Sequence, residues 1–170
     1  MMTTEAVNAG VGEPPVEVRP RIGLRVHSAL PWLILPDGVP VQLLIDASTV
    51  RVPNTRSWFN GVVSQRGNLL PVFDLAHWVG FAPTDRKQSM LVAVGQGAHA
   101  CALLCTNAPA LLTVADTEHI DTSSEVGALA PFLMEHFAAA SGAARMFDIQ
   151  RWLAAAARQV VGNETLATTH

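Results

Sequence analysis

A Phe-Asp-x-x-x-Trp signature occurs twice in this chain, 74 residues apart, and no other feature restricts the fold as much. Val72-Phe-Asp-Leu-Ala-His-Trp-Val79 returns as Met146-Phe-Asp-Ile-Gln-Arg-Trp-Leu153. The match extends backwards without a gap. Trp58-Phe59 meets Phe132-Leu133, Val63 meets Phe137, and Arg66-Gly67-Asn68 meets Ala140-Ser141-Gly142. A second match, at a shift of 59, sets Leu43-Leu44-Ile45 beside Leu103-Leu104 and Gly38 against Gly97. Scattered identities arise by chance in an apolar-rich chain, but their clustering in one signature favours a duplication. The expectation is two similar β-units, each ending in a capped helix and packed on the other.

The repeat also serves as an internal control. Asp74 and Asp148 both stand before a helix, so N-capping accounts for both without catalysis. Trp78 and Trp152 both fall one turn into that helix, where core packing accounts for them. Arg66 has no counterpart, because the second copy carries Ala140 there. An arginine at a hairpin turn is commonly just solvated. Its absence from the other copy shifts the balance toward a binding role.

Between the repeats, turn residues punctuate short apolar runs, the pattern of a mainly β chain. Trp32 to Leu35 and Val39 to Ile45 flank Pro36-Asp37-Gly38 and read as a hairpin. Val62-Val63 and Leu69 to Phe73 flank Arg66-Gly67-Asn68 as a second. Met90 to Val94 and His99 to Cys105 flank Gly95-Gln96-Gly97 as a third, and Leu111 to Val114 follows as a strand. Helices are expected from Leu75 to Val79 and from about Ile149 to Val160. Leu129 to Ala140 has helical composition, yet the repeat makes part of it a strand. Residues 1–20, with Pro14-Pro15, and residues 163–170 are expected to be mobile tails.

Composition narrows the partners. Of 170 residues, 49% are apolar and only 15% charged, so apolar patches are expected on the surface, where they serve partner binding. The net charge is −3 and Lys87 is the sole lysine, which argues against nucleic-acid binding. No apolar run reaches the length that spans a bilayer, and Met1 to Asn8 lacks the features of a secretory signal. A cytoplasmic location is the default.

Catalytic patterns are missing. There is no phosphate-cradling Gly-x-x-x-x-Gly-Lys-Ser/Thr and no Gly-x-Ser-x-Gly elbow. The histidines at 27, 77, 99, 119, 136 and 170 have no metal-ligand spacing. His119 with Glu118 and Asp121 comes nearest to a constellation, in a stretch that reads as a solvated loop. Cys101 and Cys105 lie along one strand-like run, too far apart for a disulfide and read as small buried hydrophobes. The expectation is a non-enzyme with no cofactor and no metal.

The segment from Val52 to Leu75 resembles the central signature of the CheW-like family. Its marks here are the loop proline Pro53, Gly61-Val62, the Arg66-Gly67 turn, and Leu70-Pro71-Val72-Phe73-Asp74-Leu75. Trp58-Phe59 and Asn68 are most similar to the PilI branch, which serves type IV pilus (twitching) systems. The weaker likeness covers about residues 30–155. It implies two five-stranded SH3-like β-barrels with short helices and a C-terminal helix. These would be subdomains of roughly 30–85 and 86–160, intertwined within a domain of 21–162.

The resemblance also implies a non-catalytic adaptor. It would join the cytoplasmic tip of a methyl-accepting chemoreceptor to the regulatory domain of a CheA-like histidine kinase, at the membrane only through receptor arrays. The family's receptor-binding turn arginine falls on Arg66. Gly61, Val62, Gly67 and Asn68 complete the candidate partner-binding set, with Gly67 open to a purely backbone role. Two departures stand out: a family glutamate is lost around Asp46 to Val50, and a Val-Asp-x-Val motif becomes Cys105-Thr-Asn-Ala108. The alternative is a two-barrel module holding a small ligand between its barrels, or a diverged scaffold subunit.

Overall fold

The computed structural model of the chain describes residues 18–117 and 126–161. Most of both expected tails, and the His119 cluster, lie outside the described residues. Among the described residues eleven strands and two α-helices follow one another: β1 Val18–Leu24, β2 Trp32–Ile34, β3 Val41–Leu44, β4 Thr49–Val50, β5 Phe59–Gln65, β6 Asn68–Phe73, α1 Leu75–Val79, β7 Met90–Val94, β8 Cys101–Cys105, β9 Ala110–Asp116, β10 Leu133–Ala139, β11 Gly142–Phe147 and α2 Ile149–Gln159. A 3-10 segment, Gly127–Phe132, precedes β10.

The 74-residue shift maps β5 onto β10, β6 onto β11 and α1 onto the first turns of α2, with coincident strand ends. Asp74 accepts the backbone N–H of His77, and Asp148 accepts that of Arg151, the capping expected of both. The ambiguous stretch resolves into the 3-10 segment up to Phe132 and strand from Leu133.

The strands divide between two sheets. One is a closed barrel ordered β1-β2-β11-β10-β9, and the other is a six-stranded sheet ordered β3-β7-β8-β6-β5-β4. The expected pair of five-stranded barrels is thus met by one closed barrel and one sheet that stays open. β3 and β4 lie on its two edges, and the chain between them, around Asp46 with its φ of 57°, does not pair. The missing family glutamate falls in this break.

The halves 30–85 and 86–160 do not coincide with these sheets. The closed barrel combines β1 and β2 from the start of the chain with β9 to β11 from its end. In both sheets a hairpin adds on by one parallel contact, β8 along β6 and β2 along β11. The hairpin β1–β2 therefore stands where β7–β8 stands in the other sheet, so the barrel is a circularly permuted copy. This corrects two sequence expectations. The stretch around Trp32 does not pair with that around Val41; Pro36-Asp37-Gly38 carries the chain from one sheet to the other. The 59-residue shift has no structural counterpart either, since β3 is an edge strand and β8 an inner one.

Alternation along the strands builds three cores. Trp32, Ile34, Leu112, Phe137 and Met146 fill the closed barrel. Val63, Leu70, Val72, Leu91 and Leu104 fill the concave side of the open sheet. Between the sheets lies the largest cluster, including Leu33, Phe73, Leu103, Phe147 and Trp152. Inner strands are covered on both faces, which is why β8 reads Cys-Ala-Leu-Leu-Cys with every residue buried. Burial pushes the Cys101 and Cys105 thiols up to about 12. Trp152 meets Phe73 and Trp78 edge-on at 5.2 and 5.9 Å. The helix tryptophans thus join both units in one core, and a ligand held between the barrels would have to displace these rings.

Candidate functional site

The β5–β6 hairpin positions the candidate residues. Gln65 pairs with Asn68, leaving Arg66 and Gly67 as a two-residue turn. Both take positive φ, 52° and 83°, as the type I′ turn of a tight hairpin demands. Glycine adopts this freely, and asparagine tolerates it. An arginine there carries backbone strain. Its side chain is exposed, and among the described residues no hydrogen bond or ion pair engages it.

The turn stands over a cleft of about 570 Å³ at one end of the six-stranded sheet. Arg66 and Asn68 line it, together with Gln42 of β3, Gln65 and the β7–β8 connection at Gly95 to Ala98. Gln65 Nε2 donates to Gln42 Oε1 at 2.7 Å across the mouth. Arg66 is the one ionisable residue in the lining, so the cleft favours anionic groups.

Gly61 and Val62 sit further down β5. Gly61 is buried at a strand irregularity with φ of 105°, and a Cβ there would collide with the Val50 carbonyl. Its place is backbone contact with β4. Val62 is half-buried between Val50 and Pro71. With Leu69 (70% exposed) and Val50 (65% exposed), it forms an apolar strip on the outer face of β4, β5 and β6. The five candidates thus divide between a cleft rim (Arg66, Gly67, Asn68) and a sheet face (Gly61, Val62).

Sequence reasoning missed Gln42, Gln65 and the alanines flooring the cleft. They are unremarkable in sequence: Gln42 meets Ala93 through the pairing of β3 with β7, and Gln65 of β5 reaches Gln42 only by the side-chain hydrogen bond across the curled sheet.

The other chemistry-bearing groups serve structure. Asp74 is 2% exposed; besides capping α1 it accepts the Thr84 backbone N–H at 2.7 Å and hydroxyl at 2.6 Å. The His77 ring bridges Ser57 and the Phe81 carbonyl at 2.9 and 2.8 Å. Among the described residues no three His, Cys, Asp or Glu side chains converge as a metal site would require.

A family model described as CheW-like domain matches residues 40–157. A solved structure, described as the crystal structure of the scaffolding protein TtCheW from Thermoanaerobacter tengcongensis, is similar with a TM-score of 0.56. The likeness covers 76% of this chain and 89% of that one at 17% identity, a likeness of fold. No curated protein matches.

Proposed function

Because the chain belongs to the CheW-like domain family, we propose that it is a non-catalytic signalling adaptor, coupling the cytoplasmic tip of a chemoreceptor to the regulatory domain of a CheA-type histidine kinase. The observation that carries this reading is Arg66, an exposed arginine in a strained turn at the rim of a cleft. Such strain persists where binding needs the side chain placed. The planar guanidinium has five donors and orients an acidic or amide-bearing partner. Asn68 shares the rim, Gly67 allows the turn, and Gly61 and Val62 shape the apolar strip beside it. A receptor tip is a helical hairpin, and helix-in-groove docking suits such a strip. The unpaired edges of the six-stranded sheet offer the kinase domain a place to pair.

The finer assignment is to the PilI branch and type IV pilus (twitching) motility, on the strength of Trp58-Phe59 and Asn68. We take residues 21–162 as the domain and its two units as SH3-like in kind. Among the described residues no helix is long and apolar enough to cross a membrane. In this reading the protein works in the cytoplasm and reaches the membrane only through receptor arrays.

The test is binding of the purified protein, and of Arg66→Ala, to a receptor tip and to a kinase regulatory domain. Wild type binds both, and the variant keeps its melting temperature but loses the receptor. A wild type that binds neither partner would overturn the adaptor reading.

A further inference from the structure

The two units differ at equivalent ends, and the difference points to a ligand. Parallel pairing sets Ile34 beside Met146 and Ala102 beside Val72, and Val72 and Met146 are one position of the repeat. Ile34 therefore corresponds to Ala102, and two residues earlier Trp32 corresponds to Ala100. Across the next strand, Gly23 pairs with Ile34 as Ala93 pairs with Ala102.

In the closed barrel this end is plugged. The Trp32 indole is buried against Leu112 and Ala144. Gly23 makes room for it, since a Cβ there would lie 3.2 Å from the indole and 2.7 Å from Leu112. The Arg25 guanidinium covers the ring at 5.4 Å. In the six-stranded unit the same end has Ala93 and Ala100 in place of Gly23 and Trp32, and it is the 570 Å³ cleft. That volume lies within the range of pockets that enclose small ligands.

We propose that this cleft is a socket for an aromatic side chain of indole size, carried by a protein partner beside a carboxylate. The closed barrel supplies the template, an indole seated between equivalent strands under a guanidinium. At the socket Arg66 provides the guanidinium, from the opposite hairpin, and can act on the ring face and on a neighbouring carboxylate. Gln65 Nε2 is engaged by Gln42, which leaves Gln65 Oε1 to accept an indole N–H. No acidic residue lines the cleft. The inference rests on the adaptor reading only for the statement that a protein supplies the ring.

The experiment titrates the full chain with N-acetyl-tryptophan and follows backbone amides by NMR, with N-acetyl-leucine as control. Saturable shifts at Leu70, Ala93 and Ala100 are expected with the tryptophan derivative alone. Ala100→Trp fills the socket from within and weakens binding at least about tenfold, as occupation of the cleft by the protein's own indole requires. Arg66→Ala weakens it about threefold, the scale of a cation–π contact near a surface. Where Ala100→Trp fails to melt cooperatively, Ala100→Leu replaces it with the same expected direction. Shifts that do not saturate, that leucine reproduces, or that survive the folded position-100 variant overturn the socket. They leave the adaptor reading to its own test, because that test uses no free tryptophan.

Discussion

Gly61 lies directly beneath the carbonyl of Val50, with no room for a side chain between strands β5 and β4. Gly67, six residues on, has a similar positive φ but open space around it. Left-handed backbone alone costs an L-residue about 1–2 kcal/mol. Gly67→Ala is expected to lose that much. Gly61→Ala adds displacement of β4 and is expected to lose about 3 kcal/mol or more. Urea unfolding of the two variants measures the difference, and equal losses would contradict the close contact.

Arg66 is predicted to trade stability for binding. Arg66→Asn places a residue that favours the type I′ turn and is expected to stabilise the fold by about 0.5–1 kcal/mol. That corresponds to a rise of roughly 1–4 °C in melting temperature for a chain of this size. The same variant loses the receptor tip. A variant that melts lower than wild type would show that the arginine stabilises the turn.

The two capping aspartates are not equivalent. Asp74 is buried, caps α1 and also holds the half-buried segment at Thr84, whereas Asp148 is half-buried and caps α2. Asp148→Ala is expected to cost about 1 kcal/mol, as for a lost cap. Asp74→Ala also strips partners from the Thr84 N–H and hydroxyl and is expected to cost about 2–3 kcal/mol. Chemical denaturation of both variants decides the order.

The cysteines make stability fall at high pH. Burial raises both thiols from 9.0 to about 12, and Cys101 adds to the rise at Cys105. A group raised in the folded state contributes its full stability below its unfolded value and loses it as pH climbs through the folded value. Stability therefore declines between pH 9 and 12, less steeply in a Cys101→Ala/Cys105→Ala variant at the same pH. In the native protein near pH 8, both thiols resist an alkylating reagent until the chain unfolds.

The 74-residue repeat was legible because a Phe-Asp-x-x-x-Trp strand end and cap place large rings that the shared core requires twice. The hairpins around Arg66-Gly67 and Gly95 to Gly97 were legible because their turns are local. The crossover at Pro36-Asp37-Gly38 carries the same turn chemistry as a hairpin, and only distant pairing separates the two. Strand β1, which begins at Val18 within the expected tail, was hidden because Arg19, Pro20 and Arg21 break its apolar pattern. Arg21 is nonetheless 8% exposed, against Asp37 at 3.4 Å. The candidate arginine was visible by its asymmetry between copies. The cleft was not, because it depends on Ala100 standing where Trp32 stands in a permuted copy.

That permuted order governs how the protein can be made. Strands β3 to β8 are contiguous and can pair as soon as they leave the ribosome. The hairpin β1–β2 is synthesised first, yet its partners β9 and β11 are among the last strands to emerge. During translation it carries unpaired edges with Leu24 and Trp32 exposed, the condition under which nascent chains associate wrongly. Closure of the barrel joins β1 and β2 to strands about 90 to 110 residues later, a non-local step that slows folding.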